Sequence, residues 1–203
     1  MNIIMPFITP IAVFDMREFL PFIRRVFSDK ADKFRCVNGS NGLSTTLREY
    51  DLIDDTRNQL GEDEESKAFQ EAVEANAHQL CNALGYDENY KAKMVSFWVN
   101  EMTAGAHHET HSHYGKNFSG CFYADMPENA PGIRFWSAKT RFDKPTVPVV
   151  RGNEFNASIW GFTPEEGQLC LWESWIPHDV LAGNFEGIRR SASVDVILKR
   201  ATR

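Results

Sequence analysis

Four histidines lie within seven residues of this chain: His107, His108, His111 and His113. On an extended segment, residues i and i+2 point to the same side, so His111 and His113 can reach one metal ion. Imidazole suits iron, zinc, copper and nickel, and two such ligands do not identify the ion. A third ligand must come from elsewhere, and His178, just after a predicted strand, is the candidate. The spacing therefore predicts a metal site built from imidazoles.

Arg189 precedes the last predicted strand, and Ser191, Ser193 and Asp195 follow it at two-residue intervals. Residues two apart on a strand share one face, so these four are expected to point into the same cavity, while Arg190 points the other way. A buried arginine requires an anionic partner, because an unpaired buried charge is costly. The carboxylate of a ligand would meet this requirement, and a structural Asp or Glu is the alternative.

Short β-rich runs, divided by Gly, Pro and Asn, would position these side chains. From Lys93 onward the sequence predicts strands over 94–101, 118–125, 133–136, 157–160, 168–172 and 191–198. Several strands at this spacing, with no helices between them, favour an antiparallel sandwich or barrel.

The first part of the chain has a helical pattern instead. Apolar residues recur three or four positions apart from Phe69 to Leu84, which predicts the buried face of a helix that ends at Gly85. The acidic run 62–65 is expected to be the solvated start of this helix, where the positive end of the helix dipole lies.

A second helix is predicted over 19–27, and the apolar segment 3–14 is expected to be a strand or extended segment packed on the domain. The whole chain, 1–203, is expected to form one domain, with 1–90 as a helix-rich support and 91–203 as the β core. The coarse fold prediction is helices packed against one face of a β-sandwich.

Composition argues against some classes of function and some cellular locations. The chain has 203 residues, with 22 Lys+Arg against 28 Asp+Glu and a formal net charge of −6, which argues against nucleic-acid binding. The four cysteines lie far apart without a C-x-x-C pair, which indicates reduced thiols in a cytoplasm. The apolar N-terminal segment lacks a basic leader and contains Pro6 and Pro10, so neither a signal peptide nor a membrane span is expected.

Several short motifs resemble those of the Fe(II)- and 2-oxoglutarate-dependent oxygenase superfamily: His111-Ser-His113, Ser119-Gly-Cys-Phe-Tyr123, Trp175-Ile-Pro-His178 and Arg189-Arg-Ser191. The chain is more closely similar to oxygenases of this class from marine bacteria and their phages. There, Trp98-Val-Asn100, His-x-His, Ser-Gly-x-x-Tyr, Gly167-Gln-Leu and Trp-x-Pro-His recur in this order. Asn41-Gly-Leu-Ser44 also fits, so the resemblance covers most of the chain.

The resemblance implies a mainly β fold with helices (α+β). This is the double-stranded β-helix, a cupin-like jelly roll, with N-terminal helices on its outer face. By position His111 is the first iron ligand, His113 occupies the place of the usual carboxylate, and His178 is the distal ligand. An alternative pair of iron ligands is His107 and Glu109, which also forms a His-x-carboxylate motif. A further alternative is that Glu109 orients an imidazole ligand without binding the metal itself.

The resemblance also assigns the cosubstrate site. Arg189 would bind the distal carboxylate of 2-oxoglutarate with the help of Ser191, and Tyr123 matches a tyrosine that hydrogen-bonds the cosubstrate. Asn100 belongs to the same predicted set.

The implied protein is a non-haem iron dioxygenase that takes Fe(II), 2-oxoglutarate and O2, releases succinate and hydroxylates a substrate that the sequence does not disclose. Trp175, beside the distal histidine, and Trp98 are the candidates for the wall of the substrate pocket. Two alternatives stay open: a three-histidine dioxygenase of the cupin type without 2-oxoglutarate, and a metal-binding module without turnover. The oligomeric state is also open, a homodimer included.

Overall fold

A computed structural model describes residues 8–37, 39–47, 58–137, 148, 150–153 and 156–201. These residues form two α-helices, α1 (Leu20–Asp29) and α2 (Glu64–Leu84), and two 3-10 helices, Arg17–Phe19 and Ala31–Lys33. The strands are β1 (Ile11–Asp15), β2 (Arg35–Cys36), β3 (Leu43–Thr45), β4 (Tyr90–Met102), β5 (His108–His111), β6 (Phe118–Asp125), β7 (Ile133–Trp136), β8 (Ile159–Phe162), β9 (Gln168–Glu173), β10 (His178–Val180) and β11 (Arg189–Arg200).

The strands form two antiparallel sheets. The larger has the order β1-β9-β6-β11-β4-β3-β2, and the smaller has the order β5-β10-β7-β8. The long pair β4 and β11 lies at the centre of the larger sheet, with Ser191 opposite Asn100 and Ser193 opposite Trp98. The predicted antiparallel sandwich is thus confirmed, and the first 90 residues contribute strands β1 to β3 to it as well as helices.

The two faces of the larger sheet pack against different partners. On β6, Phe118 and Phe122 belong to the core that the sheet shares with α1 and α2. Cys121 and Tyr123 alternate with them and pack with the smaller sheet through Phe135. This two-residue alternation is the ordinary consequence of strand geometry, and it separates a helix-covered face from the face that builds the site.

Helix α2 begins and ends where its sequence predicts. The Asp63 side chain accepts a hydrogen bond from the Ser66 N–H at 2.9 Å, and the left-handed Gly85 (φ 71°) closes the helix. Phe69 and Val73 lie on its buried face, as the periodicity predicts. Within the described ranges, no helix is long and apolar enough to cross a membrane.

Four strands have no counterpart among the predicted ones: β2, β3, β5 and β10. Each is two to four residues long, too short for an alternation of apolar and polar residues to appear in the sequence. The predicted extended segment 3–14 contains most of β1, which pairs with β9, while its residues 3–7 lie outside the described residues.

Candidate metal centre and cosubstrate pocket

The smaller sheet brings the three predicted metal ligands together. β5 ends at His111 and β10 begins at His178, and the two residues are opposite each other in the antiparallel pair. His113, just beyond β5, is held by a hydrogen bond from its backbone N–H to the Ser174 carbonyl at 3.0 Å. One ligand atom from each of the three imidazoles lies within 4.8 Å of the others, so one ion can contact all three.

Hydrogen bonds fix which nitrogen of each ring is free. The Nδ1–H of His111 donates to the Glu109 carbonyl at 2.7 Å, and that of His178 donates to the Ile176 carbonyl at 3.0 Å. The Nδ1 of His113 donates to a carboxylate oxygen, Asp195 Oδ1, at 2.6 Å. Because each of these oxygens can only accept, Nε2 carries the free lone pair in all three rings.

Burial favours the neutral form of two of these imidazoles, His111 and His178. It lowers the pKa of His178 to about 2, with the neighbouring His111 and His113 adding to the effect, and it also lowers the pKa of His111. A buried imidazolium loses its hydration, which disfavours the charged form. Neutral imidazole is the form that coordinates a metal, so at neutral pH the rings of His111 and His178 require no proton release before binding.

A fourth histidine, His108, joins the wall of the pocket. Its ring centroid lies 4.6 Å from that of His111. Burial is the main reason that the pKa of His108 is lowered to about 3, and the nearby His111 and Arg189 lower this pKa further. The sequence shows this histidine in the cluster but assigns it no role, because its orientation depends on the unpredicted strand β5.

The alternative ligand pair lies outside this arrangement. Among the described residues, the group whose ligand atoms converge contains neither His107 nor Glu109. The Glu109 side chain is exposed, and the residue contributes its backbone carbonyl to His111 instead.

A cavity of about 480 Å³, part of it open to solvent, adjoins the histidines between the two sheets. Its wall includes all four predicted cosubstrate residues: Asn100, Tyr123, Arg189 and Ser191. The face-sharing predicted for β11 therefore holds for Arg189, Ser191 and Ser193.

Arg189 is buried, with 2% of its surface exposed, and no carboxylate of the described residues lies within 4.0 Å of it. Its Nε–H donates to the Pro131 carbonyl at 3.1 Å, and its guanidinium lies 5.3 Å from the centroid of the Tyr123 ring. Arg190 points away and pairs with Glu101 at 2.7 Å and with Asp125 at 3.3 Å. The geometry thus fits the prediction of a ligand anion at Arg189 and excludes a described Asp or Glu as its partner.

Two further donors on the wall have no hydrogen-bond partner among the described residues, Tyr123 Oη and Trp172 Nε1. Burial raises the pKa of Tyr123, so the phenol keeps its proton and can donate. Together with Arg189 and the Ser191 hydroxyl, they make a set of donors that suits a dicarboxylate. The amide of Asn100 donates to Ser193 Oγ at 3.0 Å, so one of its two N–H groups is already used.

The two predicted pocket tryptophans differ in position. Trp98 lines the cavity and stacks on His113, with ring centroids 5.8 Å apart. Trp175 does not line it, and that prediction is corrected: 47% of its surface is exposed. Trp175 lies in the turn between β9 and β10, where the neighbouring Ile176 takes the inward position and is 1% exposed.

Residues 96–195 match the model of a family described as "Putative 2OG-Fe(II) oxygenase". Among solved structures, a prolyl-4-hydroxylase of Pseudomonas putida is similar with a TM-score of 0.61 and 12% identity, over 96% of this chain and 94% of that one. A prolyl hydroxylase of Trichoplax adhaerens, in complex with a hypoxia inducible factor peptide, has a TM-score of 0.58 and 11% identity, over 92% and 83%.

A third similar structure is HygX of Streptomyces hygroscopicus with nickel, 2-oxoglutarate and hygromycin B bound; its TM-score is 0.54 with 10% identity, over 93% of this chain and 82% of that one. No curated protein matches the chain.

The architecture is the double-stranded β-helix of these oxygenases, as the motifs predict. The matched region contains the histidine cluster and the predicted cosubstrate residues, and it is similar to the 2OG-Fe(II) oxygenases. The family match thus indicates an oxidoreductase of the class that uses Fe(II) and 2-oxoglutarate.

Proposed function

We propose that this protein is a non-haem dioxygenase in which His111, His113 and His178 bind Fe(II) and Arg189 binds the distal carboxylate of 2-oxoglutarate. One observation carries the proposal: a single cavity combines three converging imidazoles with a buried guanidinium that has no carboxylate partner in the described part of the chain. A 2-oxo dicarboxylate satisfies both features, because one end can chelate a metal while the other pairs with the arginine.

When bound, iron and 2-oxoglutarate supply the oxidising chemistry: one oxygen atom of O2 enters succinate as CO2 is lost, and the other enters a C–H bond of the substrate. The chain's own residues bind and orient. The Tyr123 phenol and the Trp172 indole N–H would donate to the cosubstrate, with the Ser191 hydroxyl beside Arg189. Trp98 stacks against one face of His113, which limits the orientations of that ring.

The test is anaerobic addition of Fe(II) and then 2-oxoglutarate to the apoprotein. Chelation of iron by the cosubstrate should produce a visible charge-transfer band that neither component gives alone. His178→Ala should abolish the band, because it removes the distal ligand, while Arg190→Ala should preserve it. A wild-type protein that binds Fe(II) without developing the band would refute the role of 2-oxoglutarate.

A second function is favoured by one feature, the lack of a carboxylate among the three converging side chains. A three-histidine dioxygenase of the cupin type would let the substrate itself chelate the iron, and Arg189 would bind a substrate carboxylate. Measurement of O2 uptake and succinate with and without 2-oxoglutarate separates the two functions. The closed structural site of a non-catalytic module has less support, because three ligands leave coordination positions open.

We also infer a cytoplasmic location and one domain over 1–203. Cys121 and Cys170 face each other on β6 and β9 as free thiols, which suits a reducing compartment.

The single domain is supported by β1, which pairs with β9 and so connects the N-terminal region to the core. Limited proteolysis that left a stable fragment of the β core alone would contradict the single domain, and size-exclusion chromatography would show whether the protein is a monomer or a homodimer.

A further inference from the structure

A carboxylate lies directly behind the histidine that stands in the usual carboxylate position. Asp195 is 1% exposed, and its Oδ1 accepts hydrogen bonds from His113 Nδ1 at 2.6 Å and from Ser119 Oγ at 2.9 Å. The Ser119 hydroxyl is itself 2.8 Å from Ser174 Oγ, whose residue holds the backbone of His113. Asp195 is thus fixed against one specific ligand ring.

The charge of this carboxylate has no cation to balance it among the described residues. Its contact at ion-pair distance is the His113 ring, and its second oxygen, Oδ2, is buried without a hydrogen-bond partner. An isolated buried carboxylate is costly, and a network that leaves one oxygen unpaired is poorly suited to stabilising the apoprotein. A cation bound on the far nitrogen of His113 would supply the missing opposite charge.

The other buried acid beside a ligand shows the contrast. Asp179 follows His178 in sequence, but its oxygens accept from Arg134 at 2.7 and 2.9 Å, from Trp136 Nε1 at 2.8 Å and from Thr110 Oγ1 at 2.8 Å. This carboxylate is paired with a cation and fully hydrogen-bonded, and it joins β10 to β5 and β7. Asp179 has the contacts of a structural acid, whereas Asp195 does not.

We propose that Asp195 is a positioning residue that supplies, through His113, the negative charge that a ligand carboxylate would otherwise bring to the iron. The hydrogen bond fixes the tautomer and plane of the His113 ring and makes its Nε2 a stronger donor to the metal. This inference rests on the proposed function, because it requires a metal ion on the three histidines.

The decisive variant is Asp195→Asn, which keeps an oxygen to accept from His113 but removes the charge. Outer partners of metal-bound histidines typically contribute about 10- to 100-fold in metal affinity, so the Kd for Fe(II) should rise by about that factor. The anaerobic Fe(II)–2-oxoglutarate band should move to shorter wavelength, because an iron centre with less negative charge around it gives up an electron less readily. Fe(II) and Co(II), each added alone, serve as probes of affinity.

Apoprotein stability distinguishes this role from a structural one. At about pH 8, where an ordinary imidazole is neutral, Asp195→Asn should leave the stability of the apoprotein unchanged or raised, since it removes an unbalanced buried charge. The stabilisation that added metal brings should fall in the same variant. A structural role would lower the stability of the apoprotein, so destabilised or unfolded Asp195→Asn apoprotein would overturn the proposal.

Two controls bracket the result. Asp125→Asn removes the same charge from β6, on a residue that pairs with Arg24 and Arg190, and should leave the Kd for Fe(II) unchanged. Ser119→Ala keeps the Asp195 charge and removes one hydrogen bond, so its effect should be clearly smaller than that of Asp195→Asn. Equal Fe(II) affinity and equal band position in wild type and Asp195→Asn would overturn the role of Asp195. A wild-type protein without any metal-dependent band would instead overturn the proposed function.

Discussion

Replacement of Arg189 by alanine should weaken the binding of 2-oxoglutarate without removing the metal site. The guanidinium is buried in the cavity wall, and the described residues offer it no carboxylate. It is not among the side chains that converge on the metal position, so the three histidines remain in place. The variant therefore separates cosubstrate binding from metal binding.

The magnitude follows from the hydrogen bonds that the arginine can offer. Nε is used by Pro131 at 3.1 Å, and Nη1 has only long contacts, 3.4 Å to Met102 Sδ and 3.5 Å to Ser191 Oγ. The terminal nitrogens are therefore available to a carboxylate. A charged hydrogen bond contributes roughly 1.5–3 kcal/mol, and about 1.4 kcal/mol is tenfold in affinity, so the Kd for 2-oxoglutarate should rise about ten- to a hundredfold.

The assay is an anaerobic titration of 2-oxoglutarate into Fe(II)-loaded protein, followed by the charge-transfer absorbance. Arg189→Lys should give an intermediate loss, because it keeps the charge but not the planar fork of donors. Arg190→Ala is the matched control, since that side chain pairs with Glu101 and Asp125 instead of lining the cavity. Equal losses from the two alanine variants, or no loss from Arg189→Ala, would refute the assignment.

Three further outcomes can be measured. Tyr123→Phe should weaken 2-oxoglutarate binding roughly tenfold in the same titration while leaving the urea midpoint unchanged or higher, because its buried hydroxyl has no partner among the described residues; unaltered affinity would remove Tyr123 from the cosubstrate site. Gly120→Ala should lower the free energy of unfolding by about 1–3 kcal/mol in urea titrations, because its Cβ would collide with Leu171 Cδ2 and lie 2.8 Å from the Cys170 carbonyl oxygen. The apoprotein should lose stability as pH falls below 6.5, since the pKa of His178 drops from 6.5 to about 2 on folding and the unfolded chain then binds more protons. The contribution of His178 to that loss is about 2 kcal/mol at about pH 5, and the same pH slope in His178→Gln would contradict it.

The parts of the fold that the sequence predicts are those with a long buried face. The segment 118–125 is a strand with the predicted bounds, and α2 carries its apolar residues on one side, because both elements face a core along their whole length. The short strands β5 and β10 lack such a face. They exist because neighbouring backbones supply hydrogen bonds, and that information lies far away in the sequence.

The residues of the site also differ in how well the sequence predicts them. Spacing along the chain is enough to group His111 with His113 and to orient Arg189 against Arg190. It is not enough for Trp175, because a residue next to a ligand in a turn can point outward. Nor does it pair His113 with Asp195, which lie 82 residues apart and meet only when β11 joins the centre of the sheet.

The proposed ligands and the two buried charges of the site balance one another. Asp195 carries one negative charge and Arg189 one positive charge, and neither has a fixed opposite charge among the described residues. Fe(II) would add two positive charges and 2-oxoglutarate two negative ones, so the loaded site would be neutral, whereas either ligand alone would leave two charges unbalanced in a partly enclosed cavity. Each ligand should therefore strengthen the binding of the other, since coupling of this kind is reciprocal. On this proposal a histidine can stand in the carboxylate position, because the negative charge lies one hydrogen bond further from the iron.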